Sequence, residues 1–264
     1  MPSPEEVPVF VLCGGFGTRL NGSGAPVPKP MVEIGDRPLL AHILECYARH
    51  GFRRFVLCTG YRAPAIHSYF ALLPAILCDF TVDLRDHSLS FHQNGPLPDW
   101  QVTLAFTGLD SMTGARVARA AARYLGDAEH FAVTYGDGLT DADLADELSF
   151  HLSHGAIGTV LAVNPPDRFG RLALHDDRVT AFREKPVSDD GWINGGFFIF
   201  RRAFLDYLSS DSSCVLEAEP LDRLAREGEL RVYRHTGFWS CIDTPRDHER
   251  VRGLWEAGAA PWKP

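Results

Sequence analysis

Three groups of residues in this 264-residue chain have the types and spacing to handle phosphate. The first is Leu12-Cys13-Gly14-Gly15-Phe16-Gly17-Thr18-Arg19. It closes an apolar run, Pro8–Cys13, that reads as a strand buried on both faces. Glycines at such a strand end let backbone N–H groups approach an anion, and Arg19 adds a planar cationic fork. The second is Pro28-Lys29-Pro30, where two prolines stiffen the backbone around one lysine close enough to Arg19 to share its anion. The third is a pair of acids at strand ends. Asp137 sits between Gly136 and Gly138 after Phe131–Tyr135, and Asp243 follows Phe238–Ile242. Open α/β sheets collect ligands at such ends, and carboxylates there suit Mg²⁺. Asp-Gly is also turn grammar, and Asp243 also suits a helix cap, so both readings stay open. Further on, Glu184-Lys185-Pro186 and Asn194-Gly195-Gly196 offer a cation and an amide suited to a sugar phosphate, or two plain loops.

Other phosphate chemistries fit poorly. A P-loop needs a Gly-Lys pair, and the chain has none. A dinucleotide fingerprint needs a small residue at position 20, where Leu20 stands, and an acid at the end of the next strand, Phe55–Cys58, which lacks one. The net charge of −8 argues against a nucleic-acid partner. Hydrophobic residues make up 45% of the chain, yet no apolar run approaches the roughly 18 residues of a membrane span. Met1–Pro8 carries two Glu and no basic residue and reads as a short leader rather than a signal peptide, which places the chain in the cytosol. None of the six cysteines forms a C-x-x-C pair, so they read as free, mostly buried thiols. His151 and His154 share a helix face but lack further metal ligands, so a packing or surface role is expected.

The elements that must hold these residues follow from periodicity. Pro38 opens a helix with the stripe Leu39, Leu40, Ile43, Leu44 and Tyr47, ended by Gly51. With the strands on either side it makes a parallel crossover unit. Further helices are expected near 64–73, 113–125, 144–152, 201–208 and 219–226, and one begins at the cap grammar Thr244-Pro245-Arg246-Asp247. Strands are expected near 80–84, 89–92, 102–107, 131–135, 157–163, 197–200, 230–233 and 238–242, with a hairpin over 171–183. The expected fold is α/β: one doubly wound domain, 1–264, with a mixed, mostly parallel sheet. Residues 8–163 form the nucleotide-binding core, and 164–264 the sugar-phosphate side with a small C-terminal α/β extension.

Gly14-Gly15-Phe16-Gly17-Thr18-Arg19-Leu20 with Pro28-Lys29-Pro30 resembles the signature of the sugar nucleotidyltransferases. Asp110-Ser111-Met112-Thr113-Gly114 with Arg116 is similar to the cytidylyl branch of that family. Thr134 to Gly138, Arg168-Phe169-Gly170, Ile193 to Phe198 and Gly237-Phe238-Trp239 extend the likeness over nearly the whole chain. The resemblance implies a Rossmann-like nucleotidyltransferase fold and a reaction of CTP with glucose 1-phosphate that releases pyrophosphate. It implies that Leu12 to Arg19 and Lys29 bind the nucleotide, with Ser111, Arg116 and Gly136 completing the CTP site. Arg19, Lys29 and Asp137 would carry catalysis, Asp137 and Asp243 would hold Mg²⁺, and Glu184, Lys185 and Asn194 would hold the sugar phosphate. A homo-oligomer is implied as well. Two features depart from the branch: Val27 stands where it has a lysine, and Asn21–Pro26 has exchanged acids for glycines. They leave room for dTTP or UTP, or for another phosphorylated acceptor. A nucleotide-binding regulator on the same fold is the non-enzymatic alternative.

Overall fold

A computed structural model describes residues 2–15, 27–92, 97–165 and 191–263 in full, and 171–175 and 178–183 as backbone. Its centre is a seven-stranded sheet. β1 (Val9–Leu12) lies between β4 (Arg54–Thr59) and β8 (His130–Tyr135) and runs parallel to both. Two tiny strands, β2 (Glu33–Ile34) and β3 (Arg37–Pro38), precede α1 (Leu39–Ala48), which carries the chain from β1 to β4. After α2 (Ala63–Leu77), β5 (Asp79–Asp83) and β6 (Ser88–His92), the chain adds β7 (Gln101–Phe106) parallel to β4 at one sheet edge. α3 (Thr113–Tyr124) then returns it to β8, on the other side of β1. The connections from β1 therefore leave in opposite directions, and a crevice opens where they part.

The rest of the sheet comes from later in the chain. Beyond β9 (Gly138–Thr140) and α4 (Leu144–His154), β10 (Gly158–Val163) forms the inner partner of β14 (Leu230–His235). β13 (Ile193–Arg201) inserts antiparallel between β8 and β10, which makes the sheet mixed but mostly parallel, as expected. β11 (Arg171–His175) and β12 (Arg178–Arg183) form the expected hairpin. After α5 (Glu219–Arg226), β15 (Trp239–Cys241) pairs with β9 and leads into α6 (Pro245–Glu256). β9 is an element that periodicity did not reveal, because three residues are too short to show alternation. α6 begins on the expected capping box, with the Thr244 hydroxyl accepting from Asp247 N at 3.2 Å.

Strand alternation splits the core into two layers. Val9, Val11, Phe55, Leu57 and Ala132 face one way, onto α1 and α4. Phe10, Leu12, Val56, Phe131 and Val133 face the other, onto α3 and α5. The unbroken apolar reading of the central strands thus reflects burial on both faces. The segment before Leu208, expected as a helix, is a 3₁₀ turn over Arg202–Tyr207. Phe204 stacks on Phe200 at 3.8 Å between ring centres, and so short a segment closes more readily in tight turns. The strands near 80–84 and 89–92 lie outside the main sheet, as a separate hairpin.

His151 packs into the interior, a role expected of the helical histidines. Its ring is buried, with Nδ1 2.8 Å from Thr159 Oγ1 and Nε2 3.1 Å from His130 Nδ1. Burial, reinforced by His130, His154 and Arg201, lowers its pKa from 6.5 to about 3. The unfolded chain therefore binds the proton first. This stability contribution is complete above about pH 6.5 and is lost as pH falls toward 3. By about pH 5 the loss is about 2 kcal/mol for this one group. Melting curves against pH are expected to fall accordingly between pH 6.5 and 4.5, and His151→Asn is expected to flatten that slope. An equally steep slope in the variant would rule His151 out as its source.

Candidate active site

A cavity of about 370 Å³ opens at the C-terminal ends of β1 and β8, where the chain directions part. Ten of the sequence-predicted residues line it: Leu12, Cys13, Gly14, Gly15, Lys29, Ser111, Arg116, Gly136, Asp137 and Asp243. They come from five separate stretches of chain, so the fold brings together what the spacing only suggested. Phe16, Gly17, Thr18, Arg19, Glu184 and Lys185 lie outside the described residues. Asn194 does not line the cavity; its Nδ2 lies 3.4 Å from the hydroxyl of Tyr135, which does.

The floor is built by close backbone approach. Gly136 N donates to Leu12 O at 3.0 Å, joining the ends of two parallel strands. A Cβ at Gly136 would lie 2.8 Å from that same oxygen, so no side chain fits there without moving the strand ends. Lys29 opens a one-turn 3₁₀ helix, Lys29–Met31, with Pro30 inside it, rather than the extended backbone that a following proline favours. Its Nζ donates to Asp137 Oδ2 at 2.5 Å and to Asp243 Oδ1 at 2.5 Å. Burial opposes the lysine charge, but the two carboxylates outweigh it and hold its pKa above the ordinary value. Asp243 is not the cap of α6, a role taken by Thr244. Both acids turn instead toward one point in the cavity.

Arg116 organises the opposite wall. It is 3% exposed, on the first turn of α3. Its Nη1 donates to Thr59 O at 3.2 Å, Thr107 Oγ1 at 2.9 Å and Gly108 O at 2.8 Å. Its Nη2 donates to Gly14 O at 2.9 Å and Leu109 O at 3.1 Å. Burial lowers its pKa below the ordinary arginine value. These acceptors are neutral, so the guanidinium charge remains available to an anion beside the glycine turn. Ser111 is also turned inward, donating to Thr107 O at 2.8 Å and accepting from Arg119 at 2.6 Å. Cys13 is a buried thiol whose pKa burial pushes well up, so it shapes the floor without offering a thiolate.

Sequence reasoning missed part of the lining, including Pro30, Leu109, Met112, Thr113 and Tyr135. Most lie inside the motifs that carried the resemblance, which was the available signal. Glu217 was missed altogether. It accepts from Thr113 Oγ1 at 2.6 Å and from Tyr135 OH at 2.5 Å, tying the loop after the 3₁₀ turn to the cavity rim.

A crevice at a sheet switch point, with a glycine turn, a buried arginine and a lysine-bridged carboxylate pair, defines an α/β protein built to bind a phosphorylated ligand. The sequence pattern of the nucleotidyl transferase family matches residues 9–250, and the chain belongs to that family. Over 253 residues it is 44% identical to the glucose-1-phosphate cytidylyltransferase of Salmonella typhimurium, covering 96% of this chain and 97% of that one. It is 29% identical to the mannose-1-phosphate guanylyltransferase of Mycobacterium tuberculosis, over 97% of this chain and 67% of that one. In fold it is similar to the crystal structure of HddC from Yersinia pseudotuberculosis, with a TM-score of 0.66 at 23% identity, over 94% of this chain and 99% of that one.

Proposed function

We propose that the protein is a glucose-1-phosphate cytidylyltransferase, joining CTP and α-D-glucose 1-phosphate to give CDP-glucose and pyrophosphate. The observation that carries this reading is the convergence of Lys29, Asp137 and Asp243 beside the glycine turn. The 44% identity to a cytidylyltransferase over nearly the whole chain selects the base and the sugar. In this reading the phosphate oxygen of the sugar attacks the α-phosphorus in line with the departing pyrophosphate. That oxygen is already ionised near neutral pH, so no strong base is needed. Positioning and charge neutralisation then supply most of the rate.

The two converging carboxylates fit a divalent cation, and we assign them Mg²⁺. Bound there, Mg²⁺ would neutralise phosphate charge. Lys29, held between the same acids, is placed to meet the triphosphate. Arg19 is assigned to the triphosphate as well, Arg116 and the residues from Gly14 to Thr18 to the nucleotide, and Glu184, Lys185 and Asn194 to the sugar phosphate. The chain acts as one domain in this reading. β13 and β14, from the sugar-phosphate part, share the central sheet with strands of the nucleotide-binding core. Among the described residues no helix is long and apolar enough to cross a membrane. We place the enzyme in the cytoplasm, where CTP is found.

We also assign a homo-oligomer, with a second copy covering the β5–β6 hairpin. Phe80 pairs with Phe91 and Val82 with Leu89 across this hairpin, which puts four exposed apolar side chains on one face. Leu72, Ile76 and Leu77 at the end of α2 are exposed as well. A two-stranded hairpin is marginal in water without something packed on its apolar face. Phe80→Asp combined with Leu89→Lys is expected to lower the mass measured by light scattering toward that of one chain. An unchanged mass would remove this face from the interface.

The reading is tested by pyrophosphate release with Mg²⁺, crossing CTP, UTP, dTTP, ATP and GTP against a panel of sugar 1-phosphates. Release is expected only with CTP and glucose 1-phosphate. Release with CTP and another acceptor would place the altered specificity in Asn21–Pro26. Nucleotide binding with no release from any pair would make the chain a regulator.

A further inference from the structure

The carboxylate pair has a neighbour of different chemistry. Cys241 ends β15 and Asp243 follows it by two residues, before α6 begins, and the side chains of both come close to that of Asp137. Register completes the group: Cys241 pairs with Gly138, the residue after Asp137. One ligand atom from each of Asp137, Cys241 and Asp243 therefore lies within 4.8 Å of the other two. Lys29 Nζ, 2.5 Å from an oxygen of each acid, marks the point at which one cation meets both carboxylates.

We propose that Cys241 is a third ligand of this cation site, which makes it a site for thiophilic divalent ions of the Co²⁺, Zn²⁺ and Cd²⁺ class in addition to Mg²⁺. The proposal rests on the assignment of Asp137 and Asp243 as metal ligands. Two carboxylates alone favour hard cations, whereas a sulfur donor shifts preference toward softer ones. On binding, the S–H bond of Cys241 breaks, its proton passes to solvent, and a sulfur–metal bond forms with no change of oxidation state. Lys29 leaves the space between the carboxylates, so the site exchanges one cation for another.

The test uses the full-length protein without nucleotide, titrated with Co²⁺ alone while the near-ultraviolet sulfur-to-cobalt charge-transfer absorption is followed. The wild type is expected to develop this band at one equivalent. Cys241→Ser is expected to lack it and to bind Co²⁺ at least about tenfold more weakly, the usual scale for a weakened metal site. Mg²⁺ affinity, measured by calorimetry, is expected to stay within about twofold in the variant. A wild type without the band, or a band that persists in Cys241→Ser, overturns the proposal. Mg²⁺ titration of the wild type separates the two levels: if Mg²⁺ binds and the band is absent, the carboxylate site stands and only the thiol ligand falls. If Cys241→Ser fails to fold, alkylation of the wild type decides instead. Zn²⁺ but not Mg²⁺ is expected to protect the Cys241 thiol from iodoacetamide, and equal labelling with both ions would overturn the proposal.

Discussion

Asp137→Ala is expected to lower kcat with CTP and glucose 1-phosphate by on the order of 10²-fold or more, or about 2.7 kcal/mol of barrier. The carboxylate stands on a glycine-flanked turn at the end of β8, bridged to Asp243 through Lys29. Removing it breaks the pair that converges on the cation position and leaves Lys29 with one partner. The charge it helps to balance grows as pyrophosphate departs, so the loss should fall on kcat more than on KM. Lys29→Ala removes the other half of the arrangement and is expected to have a comparable effect. Steady-state kinetics, with the melting temperature as a folding control, check both. Near-normal turnover in a folded Asp137→Ala protein would sink the proposed chemistry.

Arg116→Ala is expected to damage both stability and nucleotide binding. Its guanidinium fastens the glycine turn, through Gly14 O, to the loop before α3, through Gly108 O and Leu109 O. Truncation strands the buried Gly14 carbonyl, frees the half-buried ones of Gly108 and Leu109, and opens a void between them. The expected cost is about 3 kcal/mol or more, a fall in melting temperature on the order of 6–10 °C for a chain of this size. CTP affinity should fall by on the order of tenfold or more, because the glycine turn loses its anchor and the cavity a cation. Arg116→Lys should recover little, since an ammonium cannot span acceptors that the planar fork reaches together. A melting temperature within about one degree of the wild type, with unchanged CTP affinity, would show that Arg116 performs neither task.

How far each part was legible depends on the range of the interaction behind it. Helix and strand periodicity is local: the stripe of α1, the capping box of α6 and the apolar run of β1 could each be read from a few consecutive residues. The two prolines beside Lys29 announced a stiff loop for the same reason. β9, three residues long, left no pattern, and the 3₁₀ turn before Leu208 was decided by where Phe204 packs on Phe200. The hairpin over 79–92 alternates like a sheet strand pair, but its pairing to itself rather than to the main sheet depends on partners distant in sequence.

The sequence by itself determined the types of group available for phosphate chemistry: a glycine turn, a proline-held lysine and two strand-end acids. It also determined the α/β class, because alternating helical and buried-strand periods admit few other arrangements. Only the tertiary structure decided that Lys29 meets Asp137 and Asp243, 108 and 214 residues away, at a single point. It also turned Arg116 and Ser111 inward as supports and set Cys241 against the carboxylates. These outcomes follow from strand order and register, which are set by the packing of the whole sheet and leave no local trace in the chain.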